Sequence, residues 1–327
     1  MKKLSLLFTA LCLLAACTAR PPEPAEASPV PIVIGVSQVG AESDWRVANT
    51  ESMRSTFTEE AGYRLLFDDA RQKQDNQISA MRKFIQQQVD YIILMPLCVS
   101  GWDSVLKEAK EAGIPVILVD RSADVEDDSL YTAHVGSNFY WEGEQAAAWL
   151  EETFRDVQGP VNILHIQGTL DSSAQLGRSA ALEEAAALHE NWSLLAQLDG
   201  DFTQAKTYEV TGQWLDDQPK PPELHAVYCE NDNAAFGAIQ ALEERGYTCG
   251  PEGVRVVSFD ATRQGLTYCL EGKISLEVEC GPLMGPLVEE VIQILEAGGT
   301  PDKHYYTPEQ LFTAENLTPH LIRQRPY

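Results

Sequence analysis

The sequence predicts an α/β protein made of two halves of similar size. Short apolar runs rich in β-branched residues alternate with segments of helical periodicity, and this alternation restarts near residue 161. The runs are almost continuously apolar, which indicates strands buried on both faces of a parallel sheet. Residues 30–327 also exceed the length that one hydrophobic core usually serves, so two domains are expected.

The first half has four predicted strands. Between the second and the third, apolar residues recur at steps of three and four, as in an amphipathic helix. The strands are expected at residues 32–36, 65–67, 91–95 and 116–119.

The second half repeats the pattern of the first. Its strands are expected at residues 161–164, 194–196, 226–228 and 254–259, with a late short strand at 274–280. Its helices are expected at about residues 174–188, 203–216 and 231–246.

The N-terminus has the pattern of an export signal. Two lysines precede an apolar run, residues 4–14, that is too short to span a bilayer and suits the core of a signal peptide. We therefore expect a signal peptide over residues 1–16 and exclude residues 1–29 from fold reasoning.

A lipid attachment site and a tether are expected next. Residues 14–17 are Leu-Ala-Ala-Cys, which resembles a bacterial lipobox, so Cys17 is the predicted site of acylation. An ordinary signal peptide that contains a cysteine is the alternative. Residues 17–29 are rich in proline and poor in apolar residues, which is typical of an extended tether.

The chain is strongly acidic, with a formal net charge of −25 at pH 7. Such a surface repels nucleic acid and anionic lipid, so no nucleic-acid partner is expected. No apolar run reaches the roughly 18 residues of a membrane-spanning helix. Membrane contact is therefore expected through the lipid anchor only.

Five cysteines remain beyond the signal segment and the lipidation site, and an odd number cannot pair completely. No Cys-x-x-Cys pattern occurs, so neither a zinc nor a redox site is expected, and no cofactor. One disulfide would be compatible with a location outside the cell, and the sequence does not choose the pair. The five are Cys98, Cys229, Cys249, Cys269 and Cys280.

Polar side chains cluster where the predicted strands end. In open α/β sheets, ligands bind beyond the carboxyl ends of the strands. These side chains are therefore the first candidates for a binding site. They lie at residues 40–46, 120–121, 231–232, 260 and 279.

Several stretches resemble periplasmic sugar-binding proteins of the ribose-binding type, and most closely the galactofuranose-binding branch. The resemblance runs in order over about residues 32–290 and is looser beyond. Asp44 departs from it, because the branch usually has proline there, and this bears on the entry loop and the sugar. The stretches that carry the resemblance are residues 35–43, 45–46, 72–74, 76–77, 101–103, 107–115, 120–122, 200–203 and 237–241.

The resemblance implies a type I periplasmic binding protein, with two Rossmann-like lobes joined by three crossings and the sugar in the cleft. Carried over to this sequence, the first lobe is residues 30–137 plus 281–304. The second lobe is residues 138–280 plus 305–327. The implied partners are a monosaccharide and the permease of an ABC transporter, and the implied state is a monomer.

The first half supplies the aromatic and charged groups that a sugar site needs. A sugar has an apolar face and a rim of hydroxyl groups that donate and accept. Trp45 can be the aromatic plate, with Arg46 beside it. Asp120 can accept two hydroxyl hydrogens, and Arg121 can donate through a planar fork. The structural alternatives are that Trp45 packs into the core and that Asp120 and Arg121 form only a local ion pair.

Five further candidates complete the predicted site. Asn231 donates and accepts at once, which suits vicinal hydroxyls, and Asp260 accepts at the end of its strand. By resemblance, Arg178 donates across the cleft and Ser43 is a contact in the first half; alone, Arg178 would be a solvated helix residue. Glu279 lies at a crossing and either contacts the sugar or serves the hinge.

Three neighbouring residues are interpreted differently. Glu42 and Trp102 are not included among the predicted contacts. Asp232 is interpreted as the cap of a helix N-terminus.

Three functions remain open at this point. The first is a binding protein that delivers a monosaccharide to an ABC importer, and the second is a sensor that engages a chemoreceptor or histidine kinase. The third is a glycoside hydrolase using Asp120, Asp260 and Glu279. Arg121 and Arg178 should keep these carboxylates ionised, whereas a general acid needs a raised pKa. No common catalytic motif occurs, so we expect a binding protein and not an enzyme.

Overall fold

The computed structural model describes residues 30–327, so the predicted signal peptide, Cys17 and the tether lie outside the described residues. This part of the chain forms two six-stranded sheets flanked by helices. Among residues 30–327, no helix combines the length and the apolar character needed to cross a bilayer. The predicted α/β class is confirmed.

The first sheet is parallel throughout. Its strands are β1 (Ile32–Gln38), β2 (Tyr63–Asp69), β3 (Tyr91–Leu94), β4 (Val116–Val119), β5 (Ala133–Gly136) and β11 (His304–Tyr306). They lie in the order β11-β5-β4-β3-β1-β2.

The second sheet repeats this topology, except that its last strand is antiparallel. Its strands are β6 (Val161–Gln167), β7 (Trp192–Asp199), β8 (Ala226–Cys229), β9 (Arg255–Asp260), β10 (Leu276–Glu279) and β12 (Leu311–Phe312). Their order is β12-β10-β9-β8-β6-β7. In each sheet the strand order reverses direction beside the first strand, and such a switch point is where open α/β sheets bind ligands.

Helices cover the sheets. They are α1 (Asp44–Thr56), α2 (Gln74–Gln86), α3 (Asp103–Glu111), α4 (Phe139–Phe154), α5 (Ser173–Leu188), α6 (Gln204–Asp216), α7 (Asp232–Glu243), α8 (Arg263–Leu270), α9 (Gly285–Glu296) and α10 (Pro319–Gln324), with a short 3-10 turn at Asp128–Leu130. The predicted strands and helices correspond to elements of the structure, whereas β5, β11 and β12 are not predicted by the sequence.

The chain crosses between the two sheets three times, as the resemblance implies. The crossings are residues 137–138 after β5, residues 280–284 after β10 and residues 307–310 after β11. The predicted limit between residues 304 and 305 falls inside β11, and all three residues of this strand pair with β5. Tyr305 and Tyr306 therefore extend the first sheet, and the other lobe limits stay a prediction.

Side-chain caps start three helices at the carboxyl edges of the sheets. Ser43 caps α1, Ser172 caps α5 and Asn231 caps α7, each by accepting a backbone N–H three residues on. This fixes the first turns of the helices that carry most candidate residues. Asp232 is not the cap, so that interpretation was wrong: its carboxylate accepts from Ser258 and Thr262 instead.

The five cysteines of the described chain are all free thiols. Three of them, Cys229, Cys269 and Cys280, are buried, where they pack as small apolar residues.

Candidate functional site

A cavity with about 290 Å³ of empty space lies between the carboxyl ends of the two sheets. Eight of the nine predicted contacts line it, and Glu279 is the exception. The lining residues are Glu42, Ser43, Trp45, Arg46, Asp120, Arg121, Phe139, Ala174, Arg178, Phe202, Asn231, Asp260 and Cys280.

Four charged side chains form a connected network on the first-lobe wall. Arg46 Nη2 donates to Asp120 Oδ2 at 2.5 Å, and Arg46 Nε donates to Glu42 Oε1 at 3.0 Å. Arg121 Nη2 donates to the same Glu42 oxygen at 3.1 Å. Burial alone would raise the pKa of Glu42, but the two arginines outweigh it and hold this pKa below its ordinary value. Glu42 therefore stays charged and orients both arginines.

Two buried atoms of this network are free to meet a ligand. Glu42 Oε2 and Arg46 Nη1 have no hydrogen-bond partner within residues 30–327. An unpaired buried group costs about 1–3 kcal/mol. The wall therefore has one acceptor and one donor that a ligand can satisfy.

The cavity also has aromatic surfaces that are held in place. Trp45 is 3% exposed, and its indole Nε1 donates to the carbonyl oxygen of Cys280 at 2.6 Å. Its ring lies under the guanidinium of Arg46, with 4.7 Å between the carbon Cζ and the ring centroid. Ser43 supports this arrangement from the α1 cap, because its Oγ accepts the backbone N–H of Arg46.

Arg178 dominates the second-lobe wall. Its Nε and Nη2 lie 2.7 and 2.6 Å from Glu142 Oε2, and Nη1 donates to the carbonyl oxygen of Glu230 at 2.5 Å. The guanidinium lies between the rings of Phe139 and Phe259, at 5.2 and 4.6 Å from their centroids. This anchoring leaves a planar donor in one orientation at the cavity.

Asn231 and Asp260 place an amide and a carboxylate on the same wall. Asn231 Nδ2 donates to the carbonyl oxygen of Phe202 at 3.2 Å, while Oδ1 accepts the backbone N–H of Ala234 at 2.9 Å. Asp260 has a φ of +103°, a backbone conformation that costs about 1–3 kcal/mol and recurs at functional sites. Burial raises the pKa of Asp260 well above its ordinary value, although the charge of Arg178 opposes the shift.

The structure does not bring Glu279 to the cavity. Its Oε1 accepts from Arg325 Nη1 at 2.6 Å and from the hydroxyl of Tyr327 at 3.4 Å. Successive residues of a strand point to opposite faces, and here the next residue, Cys280, faces the cavity. Trp102 is also outside it, fully buried and donating to the carbonyl oxygen of Cys98.

The sequence reasoning missed three prominent lining residues, Phe139, Phe202 and Cys280. Phe202 lies in the stretch 200–203 that carried part of the resemblance, and its ring lies 5.1 Å from the guanidinium carbon of Arg121. Its place in that stretch was the one sequence feature that pointed to Phe202 as a residue of the site. Phe139 is the first residue of α4, and nothing in its local pattern distinguishes it from a core residue.

One cluster beside the cavity has the residue types of a metal site. Glu142, Cys280 and Glu309 each offer a ligand atom, and these atoms lie within 4.8 Å of one another. However, Glu142 is already paired with Arg178, and burial raises the pKa of Glu142 above its ordinary value and that of Cys280 well above it. The arrangement fits a proton-bearing cluster better than a cation site.

The two lobes touch each other on both sides of the cavity. On one side, the backbone N–H of Asp44 donates to Asn233 Oδ1 at 3.1 Å, and Asn233 Nδ2 donates to Asp44 Oδ2 at 3.2 Å. On the other, the backbone N–H of Ser122 donates to Ser173 Oγ at 2.8 Å. The structure is therefore a closed form.

The pKa directions correct one argument against a hydrolase. We expected Arg121 and Arg178 to keep Asp120, Asp260 and Glu279 ionised, but burial raises the pKa of Asp260 despite the opposing charge of Arg178. A raised pKa is what a general acid needs, so the charges by themselves do not decide between binding and hydrolysis.

Comparison with known proteins identifies a family. The model of the periplasmic binding protein domain matches residues 34–278. The galactofuranose-binding protein YtfQ of Escherichia coli (strain K12) is 35% identical over 297 residues, which are 90% of this chain and 92% of that protein.

Two solved structures with furanose ligands resemble this chain along most of its length. A Mycobacterium smegmatis protein in complex with β-D-fucofuranose has a TM-score of 0.82 and 38% identity, covering 87% of this chain and 92% of that one. The binding protein of the arabinose ABC transporter from Shewanella sp. ANA-3, bound to α- and β-L-arabinofuranose, has a TM-score of 0.83 and 36% identity, covering 90% and 95%.

Proposed function

We propose that this chain, which belongs to the family of periplasmic binding proteins, captures a monosaccharide in its furanose form and delivers it to an ABC importer. Sugar binding and an extracytoplasmic location are properties of this family, and the relatives are transport proteins and not enzymes. The ring form of the sugar, the contact residues and the attachment to the membrane are our proposals.

The observation that carries the proposal is the buried ring of charged groups around the cavity. Asp120 with Arg46 on one wall and Asp260 with Arg178 on the other alternate acceptors and donors, as the hydroxyl groups of a sugar require. Because the walls belong to different lobes, a sugar contacts both only when they close, and it shifts the population to the closed form.

The furanose form is supported by the relatives. The ligands named for YtfQ and for the two solved structures are galactofuranose, fucofuranose and arabinofuranose. Three different sugars thus share one ring size. We propose that the same ring form is selected here.

The test is a titration of D-galactose and L-arabinose, each labelled with ¹³C at carbon 1, followed by NMR of the sugar. We expect the furanose signals to disappear first when less than one equivalent of protein is added. Selective loss of the pyranose signals would overturn the ring assignment. No binding of either sugar, with no rise in melting temperature across a wider panel, would overturn the cargo class.

Two substitutions and a matched control test the site. Asp120→Ala and Arg178→Ala should each weaken sugar binding at least a hundredfold, because each removes charge-assisted hydrogen bonds worth about 1.5–3 kcal/mol apiece and leaves partners unpaired. Glu111→Ala, on an exposed position of α3, should bind as the unmodified protein does. Unchanged affinity in both cavity variants would refute the site.

Anchoring through Cys17 is the remaining part of the proposal, and residues 1–29 lie outside the described structure. The tether at residues 17–29 would hold a monomeric binding protein near its permease. Cys17→Ala should release the protein from membranes, and mass spectrometry should find acyl chains on Cys17 of the unmodified protein. A soluble protein without acyl chains would refute it.

A further inference from the structure

We propose that Glu142 is a positioning residue for Arg178. We also propose that Glu309, on the third crossing, changes the position of Arg178 when it gains or loses a proton, so that sugar binding is coupled to pH. This inference rests on the proposed function, because it takes Arg178 to be a sugar contact. Neither glutamate was among the residues that the sequence indicated.

Glu142 is placed to orient Arg178. It is fully buried, and its Oε2 accepts from Nε of the guanidinium at 2.7 Å and forms an ion pair with Nη2 at 2.6 Å. Its other oxygen, Oε1, has no hydrogen-bond partner in the part of the chain that the structure describes. A buried carboxylate oxygen in this state attracts a proton donor, and the neighbouring Cys280 and Glu309 are the groups that can supply one.

Those neighbours lie where the three crossings meet. Ser137, on the first crossing, has its Oγ 3.3 Å from Cys280 Sγ, on the second. The same Oγ is 3.2 Å from Thr307 Oγ1, on the third, and that hydroxyl donates to Glu309 Oε1 at 3.1 Å. A chain of hydrogen bonds therefore links all three connections between the lobes and ends beside Glu142.

The charge state of Glu309 follows from its surroundings. Burial raises its pKa to about 8, the charge of Glu142 adds to the shift, and the hydroxyls of Ser137 and Thr307 together with Arg178 oppose it. At neutral pH the carboxyl group is therefore protonated and can serve as a donor within the cluster. Burial raises the pKa of Glu142 as well, although the charge of Arg178 opposes the shift. The other titratable groups that bear on the cluster are Cys280, Asp120, Asp260 and Tyr228.

The direction of the pH effect follows. Below pH 8, neutral Glu309 leaves Arg178 paired with one carboxylate and free to donate into the cavity. Above pH 8, an ionised Glu309 places a second negative charge within 4.8 Å of Glu142, which disfavours the closed hinge and draws the guanidinium away from the sugar. Because the closed form holds the proton more tightly than the open form, affinity should fall by up to tenfold per pH unit as pH rises towards 8 and should level off above it.

The test is calorimetric titration of L-arabinose between pH 6 and 9.5 into the unmodified protein, Glu309→Gln and the exposed control Glu315→Gln. We expect the unmodified protein and the control to lose at least tenfold in affinity over this range, and Glu309→Gln to lose less than threefold. Glu142→Gln should bind more weakly at pH 6 and should shift the midpoint of the remaining pH dependence downward, because it removes the charge that raises the pKa of Glu309. A merely structural role for Glu142 would leave that midpoint in place.

A second measurement makes the result independent of sugar binding. Urea unfolding of the sugar-free protein at pH 6 and pH 9 should show that the unmodified protein loses stability relative to Glu309→Gln as pH rises. Identical pH dependence of the two proteins, in stability or in affinity, would overturn the inference. Absence of sugar binding at every pH would overturn the proposed function, while the unfolding experiment would still test the proton on Glu309.

Discussion

Two hydrogen bonds between Asp44 and Asn233 cross the mouth of the cleft, and breaking them should shorten the time for which a sugar stays bound. Asn233→Ala removes both bonds, because its side chain accepts one and donates the other. Asp44→Ala removes only the bond to the carboxylate, since the backbone N–H of residue 44 remains. Asn233→Ala should therefore shorten the time for which the sugar stays bound more than Asp44→Ala does.

The magnitudes follow from the exposure of the pair. Each bond competes with water, so its net contribution is about 0.5–1 kcal/mol. Asn233→Ala should destabilise the closed form by about 1–2 kcal/mol, which is about 5- to 30-fold, and Asp44→Ala by about 2- to 5-fold. Because the bonds join the two lobes, the effect should fall on the dissociation rate.

Asp44→Pro removes the two hydrogen bonds to Asn233 without disturbing the start of α1. Residue 44 is the first residue of α1, a position that accepts proline, and Ser43 has the extended backbone, φ −146° and ψ 162°, that a following proline requires. The substitution removes both the N–H and the carboxylate. It should match Asn233→Ala, and the double variant should dissociate no faster than either single variant.

The assay is stopped-flow tryptophan fluorescence during displacement of bound sugar, with Trp45 in the cavity as a reporter. Glu51→Ala, on the exposed face of α1, is the control and should release sugar at the unmodified rate. If Asn233→Ala also releases at that rate, or if Asp44→Ala costs as much as Asn233→Ala, the pair does not hold the cleft closed.

Two further substitutions test the second-lobe wall. Arg178→Met should lower the free energy of unfolding by about 3–5 kcal/mol because it leaves the buried Glu142 unpaired. Adding Glu142→Gln should restore most of this free energy without restoring sugar binding. Equal stability of the single and the double variant in urea would contradict this reasoning. Gly168→Ala should weaken sugar binding about tenfold or more in calorimetry, since the added Cβ would clash with the ring of Phe202. The control Gly159→Ala should bind as the unmodified protein does, because its Cβ meets nothing within 4 Å. Equal affinities of the two variants would show that the position of the Phe202 ring is unimportant.

Much of the fold could be predicted because its strands are buried on both faces. β3 and β4 are continuous apolar runs and β1 begins with one, and the limits of all three were predicted to within two residues. β5 was missed because it contains His134, whose ring is buried and hydrogen-bonded to the carbonyl oxygen of Asp120 at 2.8 Å. A polar residue in a four-residue strand hides the pattern, and only the tertiary partner explains it.

The candidate site was predictable where chemistry and position coincide. A charged residue that ends a buried strand or directly follows one, such as Asp260 or Asp120, contributes little to the packing of a core. Phe139 and Phe202 were missed because a buried aromatic residue is ordinary core material, and here both pack in a core cluster as well as lining the cavity. Glu142 resembles a solvated helix residue until the fold places Arg178 against it.

The order of the strands has a consequence for how the two sheets are completed. Strands β11 and β12 follow all the other strands in the sequence, and each forms one edge of a sheet. Neither sheet is therefore complete until residues 304–312 have joined it, although the first five strands of the first sheet lie within residues 32–136.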